Sequence, residues 1–160
     1  MNLDPESDGM TLLPFSPQMS SAENLNIEFN RIKGFAQSYD NQARGRIQAI
    51  KPGFYTRLGA AIRQSVHLLQ EQAARRHLLL ILTDGKPHDV DHYDGRWGVE
   101  DTRMAVREAR AQNVHPFCIT IDPEANSYAP YLFGADGFVR VTDPAKLPTI
   151  LPQIYLSLTA

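Results

Sequence analysis

Six residues, His77–Leu82 (HLLLIL), are almost wholly apolar and end abruptly in Thr83-Asp84-Gly85. A run this short and this apolar, stopped by a polar turn, predicts a strand buried on both faces of a parallel sheet. Parallel strands need crossover helices, so the run restricts the chain to α/β architectures. In such sheets ligands bind beyond the carboxyl ends of the strands. Asp84 stands at that point. Gly85 beside it is expected to ease a sharp turn. Read alone, Asp84 is first of all a residue that caps the turn; its neighbours weaken that reading.

The flanking segments repeat the pattern. Leu58, Ile62, Val66 and Leu69 recur at helical spacing between Thr56 and about Ala74. Val99–Ala111 predicts a second helix, with Glu100 and Asp101 in its first turn and Arg107 and Arg110 near its end. Val114–Ile121 and Gly137–Val141 predict two further strands. Asp122-Pro123 opens a loop with a helical turn through Leu132. Leu147–Leu158 predicts a closing helix that Pro152 should kink or restart. The series is strand–helix–strand–helix–strand–helix, a doubly wound, mostly parallel sheet with helices on both faces.

The amino-terminal third is weaker. Residues 1–9 read as a disordered segment or linker, and 10–160 as one domain. Met10–Phe15 predicts a strand, Ser16–Asn24 a polar loop, and Asn26–Lys33 a half-exposed edge strand. Asp40–Ile50 predicts a short helix with Asp40 as its N-cap. Arg57, Arg63, Arg75 and Arg76 read as a solvated face. Cys118, the single cysteine, reads as a buried core thiol; it excludes an internal disulfide and fits a reducing, cytoplasmic setting. With a formal net charge of −2, the chain gives no electrostatic reason to bind nucleic acid, and no apolar run is long enough for membrane insertion.

Chemistry narrows the choices without closing them. Thr56 before a helix and Asp84 after a strand are oxygen donors at one sheet edge, suited to Mg²⁺, Mn²⁺ or Ca²⁺. His88, Asp89, Asp91, His92 and Asp94 form a second cluster, and His88 and His92 are spaced to share a transition metal if the segment were helical. Gly85, Pro87 and Gly95 argue for a loop instead. No G-x-S-x-G elbow, P-loop or dinucleotide fingerprint is present. An interaction module, a metal-dependent hydrolase using the His88–Asp94 cluster and a metal-free structural or oligomerisation domain all remain open on these grounds.

The run LLLILTDGKPHDVDHYDGRWGVEDTRMAVREAR, with PGFYTRLGAAIR before it and HPFCITID and YLFG after it, resembles the C-terminal von Willebrand factor A domain of the NorD/CbbO proteins. These are nitric oxide reductase activation proteins and rubisco activase adaptors. The resemblance covers about Ile32 to Thr159. It implies a non-enzymatic protein-binding domain with a metal-ion-dependent adhesion site. Thr56 matches the family's threonine ligand and Asp84 its aspartate ligand, and the bound divalent ion, Mg²⁺ by preference, keeps one position for a partner carboxylate. It also implies work alongside a MoxR-type AAA+ ATPase on a client enzyme, nitric oxide reductase or rubisco. Tyr55, Arg57, Lys86, His88, Arg96 and Trp97 are candidate partner contacts. The family's D-x-S-x-S motif is not in the sequence, and Met10–Ser16 matches its second strand. The first strand-helix unit is therefore expected to be missing, through fragmentation, omission or supply by another chain. Its loss should leave the edge of His77–Leu82 open.

Overall fold

A computed structural model of the chain describes residues 15–20, 24–50, 57–85 and 96–159. The chain divides into two compact units, Met1–Arg57 and Leu58–Ala160.

In the first unit, β1 (Phe15–Ser20) and β2 (Asn24–Phe29) form an antiparallel hairpin with Phe15 opposite Phe29 and Ser20 opposite Asn24. This corrects the expected loop over Ser16–Asn24 and moves the second strand, expected at Asn26–Lys33, towards the amino terminus. The sequence SPQMS has neither apolar alternation nor β-branched residues, so its strand conformation comes from pairing rather than propensity. Pro17, which lacks an amide donor, is tolerated in a two-stranded ladder where both strands are edges. Helix α1 (Asn41–Gln48) is capped as expected: the Asp40 carboxylate accepts from the Ala43 amide at 2.8 Å. Arg46 Nε donates to the Ile32 carbonyl at 2.5 Å and ties the helix to the segment before it. The expected strand over Met10–Phe15 lies, but for Phe15, outside the described residues, as does the segment 1–9.

The second unit is the predicted parallel α/β sandwich. Its elements are α2 (Leu58–Gln70), β3 (His77–Thr83), α3 (Arg96–Ala111), β4 (Val114–Thr120), α4 (Ala129–Phe133), β5 (Phe138–Arg140) and α5 (Leu147–Thr159). The strands run parallel in the order β3-β4-β5. Because side chains alternate along a strand, each strand serves two cores. Leu79 and Ile81, beside Cys118 and Phe138, pack with Ile62, Val66, Val106 and Phe133 on the α2–α3–α4 face. Leu78 and Leu80, with Phe117, Ile119 and Val139, pack with Ile150, Leu151 and Ile154 of α5 on the other. Among the described strands β3 pairs only with β4. Burial departs from expectation: helices face both sides, yet of its leucines and isoleucine only Ile81 is buried, and Leu82 is 58% exposed.

Three further readings are corrected. Helix α3 begins at Arg96, not Val99, so Glu100 and Asp101 lie in its second turn. Gly98 is buried in the added turn, where its carbonyl accepts from Thr102 Oγ1 at 2.7 Å. Helix α5 continues past Pro152 and does not restart there. Arg63 is not merely solvated: it donates to Asp101 Oδ1 and to Glu108 Oε2, both at 2.7 Å, and so clamps α2 to α3. The Asp101 carboxylate also lies over Gly59 in the first turn of α2, where a methyl group would displace it.

Cys118 is 1% exposed, and burial pushes its thiol from an ordinary 9.0 up to about 12. A raised folded-state value gives stability that is whole below about pH 9 and lost as pH climbs toward 12. At pH 8 the native protein should therefore react with a disulfide reagent such as Ellman's only at the rate at which it opens, while the urea-unfolded chain reacts at once. Equal rates in both states would contradict a packed thiol.

Candidate functional site

The carboxyl ends of β3 and β4 form one rim. Thr83 pairs with Thr120 in register, and the Ile121 amide donates to the Thr83 carbonyl at 3.3 Å. Immediately beyond β3 the turn is closed by Thr83, not by Asp84. Thr83 Oγ1 donates to the Gly85 carbonyl at 3.0 Å and lies 3.4 Å from the Gly85 amide, which donates back to it. A Cβ at Gly85 would meet nothing within 4 Å, and its φ is not positive, so the turn does not require glycine. With the turn satisfied by its neighbour, Asp84 is released. Its side chain is exposed and has no hydrogen-bond or ion-pair partner among the described residues.

A second carboxylate reaches the same rim but is fully engaged. Asp122 Oδ2 accepts from Tyr128 Oη at 2.7 Å, Asp122 Oδ1 accepts from the Glu124 amide at 2.8 Å, and its own amide donates to Thr120 Oγ1 at 3.1 Å. Burial first, and the bond to Asp122 second, hold the Tyr128 phenol well above the usual tyrosine range. Tyr128 therefore stays a neutral donor, and Asp122 is a fixture of its loop. The contrast between the two aspartates singles out Asp84. Beside it lies a shallow hollow of about 290 Å³ walled by Leu82, Ile119, Ile121 and Leu147. One charged oxygen donor set against an apolar wall is a surface for contact rather than an enclosed reaction chamber.

The other candidate positions are placed unequally. Thr56 and Tyr55 lie outside the described residues, as do Lys86, His88 and the rest of the His88–Asp94 cluster. Arg57 is half-buried and closes the first unit. Arg96 and Trp97 are exposed on the first turn of α3. Among the described residues no three His, Cys, Asp or Glu side chains converge as a metal site. The donor chemistry of Asp84 fits a hard cation, as one ligand of several. None of the helices among the described residues is long and apolar enough to cross a membrane. Two further features of α3 were not read from the sequence: Met104 follows Trp97 two turns along the helix, and Arg103 stacks at 4.3 Å on Tyr131 of α4. The first could have been found by helical spacing; the second needs the fold.

Comparison with known proteins agrees with this geometry. Residues 1–153 match the von Willebrand factor type A domain. Protein NorD of Stutzerimonas stutzeri is 56% identical over 127 residues, covering 79% of this chain and 21% of that protein. An uncharacterized protein of Pseudomonas aeruginosa is 52% identical over 136 residues, 85% of this chain and 22% of that protein. Protein NorD of Brucella melitensis is 50% identical over 129 residues, 81% of this chain and 20% of that protein. The chain thus spans about a fifth of the length of the curated relatives it matches. No solved structure matches it significantly.

Proposed function

Because the chain belongs to the von Willebrand factor type A domain family, we propose that it is a protein-interaction module that takes a client carboxylate onto a divalent cation held in part by Asp84 and Thr56. In this reading it serves as the adaptor through which a MoxR-type AAA+ ATPase reaches a client enzyme, nitric oxide reductase or rubisco. The kinship with NorD proteins supports the assignment to that system.

The observation that carries the site is the exposed carboxylate of Asp84 at the end of β3, without a polar partner among the described residues and released by a turn that Thr83 closes. An exposed carboxylate on a rigid strand end loses little freedom on binding an ion. Mg²⁺, Mn²⁺ and Ca²⁺ all prefer such oxygen donors, and six to eight are needed to complete their shells. Two side chains from this chain supply only part of that set. The cation then bridges to a partner oxygen, and the hollow beside Asp84 gives the partner apolar surface to cover.

Mn²⁺ tests this without requiring tight binding. Added to the isotopically labelled chain, it should broaden the amide resonances of Asp84 and Gly85 first, and Mg²⁺ in excess should reverse the effect. Asp84→Ala should abolish that local broadening and leave the fold intact, since the side chain is exposed and has no hydrogen-bond or ion-pair partner among the described residues. Broadening that is strongest elsewhere, or unchanged in Asp84→Ala, would remove Asp84 from the site.

A further inference from the structure

We propose that the outer face of α3 is a second docking surface, independent of any cation, for an acidic amphipathic helix of a partner protein. Helix α3 buries Gly98, Thr102, Ala105, Val106 and Ala109 against the sheet and α2. The opposite face carries Trp97 and Met104, seven positions apart and so stacked two turns, about 10 Å, along one line. Trp97 is 74% exposed and Met104 46% exposed. Tyr131 of α4, 47% exposed, adjoins α3 at Glu100 and Arg103. An exposed tryptophan with methionine and arginine beside it is the composition that anchors interfaces.

Charge identifies the occupant. The carboxylates of this face are already engaged within the fold. Asp101 and Glu108 accept from Arg63, and Glu100 accepts from Tyr131 Oη at 2.6 Å with Arg103 at 3.7 Å. Arg103 is held over the Tyr131 ring and donates to its oxygen. Arg96 and Arg107, both exposed, have no carboxylate partner among the described residues. The α2–α3 surface therefore carries a positive excess in a chain whose formal net charge is −2. A partner helix with apolar residues two turns apart would cover Trp97 and Met104 and place flanking carboxylates against Arg96 and Arg107. The proposal does not rest on the cation site: Asp84 belongs to the strand rim and takes no part.

Trp97 is the single tryptophan of the chain, so its fluorescence reports this face alone. The probe is a tryptophan-free synthetic helix with leucines at i, i+4 and i+7 and glutamates on both flanks; a matched helix carries lysines in their place. Titration of the whole chain with the glutamate helix should shift Trp97 emission to shorter wavelength and saturate. Arg96→Glu combined with Arg107→Glu should weaken binding at least tenfold, as should the lysine helix. Both positions are exposed and have no carboxylate partner among the described residues, so the variant keeps its fold. EDTA and Asp84→Ala should change nothing, which separates this surface from the cation reading. Equal binding of both helices, no shift with either, or a shift driven by protein concentration alone would each overturn the proposal, the last in favour of a second copy.

Discussion

Replacing Phe133 by alanine should lower the free energy of unfolding by about 3–5 kcal/mol, the cost of removing a buried aromatic side chain and leaving a cavity behind it. Phe133 is 1% exposed and sits in the core between the sheet and the α2–α3 layer. It ends α4, a helix of five residues too short to be stable without packing, which Phe133 shares with Ala129 and Leu132. Its carbonyl also accepts from Arg110 at 2.5 Å, which joins the end of α4 to the last turn of α3. Substitution of the side chain leaves that bond possible, so the measured loss should be mostly packing. Urea denaturation followed by circular dichroism gives the value. A midpoint change equivalent to less than about 1 kcal/mol would mean that the neighbouring side chains collapse into the space, and that the core is looser than its burial implies.

Gly137→Ala should destabilise by about 1–3 kcal/mol or more, as expected when atoms are forced into a filled space. A Cβ at this position would overlap the Phe133 carbonyl and stand 2.9 Å from the Arg110 guanidinium. The obstacle is backbone, so rotamer changes cannot relieve it. The position is also structural on its own account. The Gly137 amide donates to Gly134 at 3.2 Å, and its carbonyl accepts from the Cys118 amide at 2.9 Å, starting the β4–β5 ladder. Displacing residue 137 therefore loosens the entry of β5. Because Gly137 and Phe133 touch the same carbonyl and the same arginine, the double variant should fall short of the sum of its parts. Full additivity would show that the two sites yield independently.

The strands at the centre of the second unit were legible because HLLLIL and VHPFCIT are apolar runs too short for helices and bounded by polar turns. The helices α2 and α5 were legible from their periodic apolar stripes. The start of α3 was not: Arg96-Trp97-Gly98 has no buried apolar residue, and glycine argues against helix, yet Gly98 fits a crowded helix face because it is small. The hairpin was misread since Ser16–Ser20 carries no strand propensity and owes its shape to β2. At the candidate site, Asp84 was recognisable from its place after a buried strand. That it would be left unpartnered was not, because this depends on Thr83 closing the turn and on Asp122 being taken by Tyr128. Resemblance supplied the chemical meaning that two oxygen donors alone could not. The role of Arg63 was missed because its two carboxylates lie 38 and 45 positions away.

The alternation along β3 has a consequence for the carboxylate at its tip. Odd-numbered residues of the strand are gripped from one side by α2 and α3, and even-numbered ones from the other by α5. Sliding the strand by one position would present each layer with the side chains shaped for its opposite, so the frame is locked by both at once. The height at which Asp84 stands above the sheet is thus set jointly by two surfaces that never meet, and an alteration deep in either one is felt at the exposed tip.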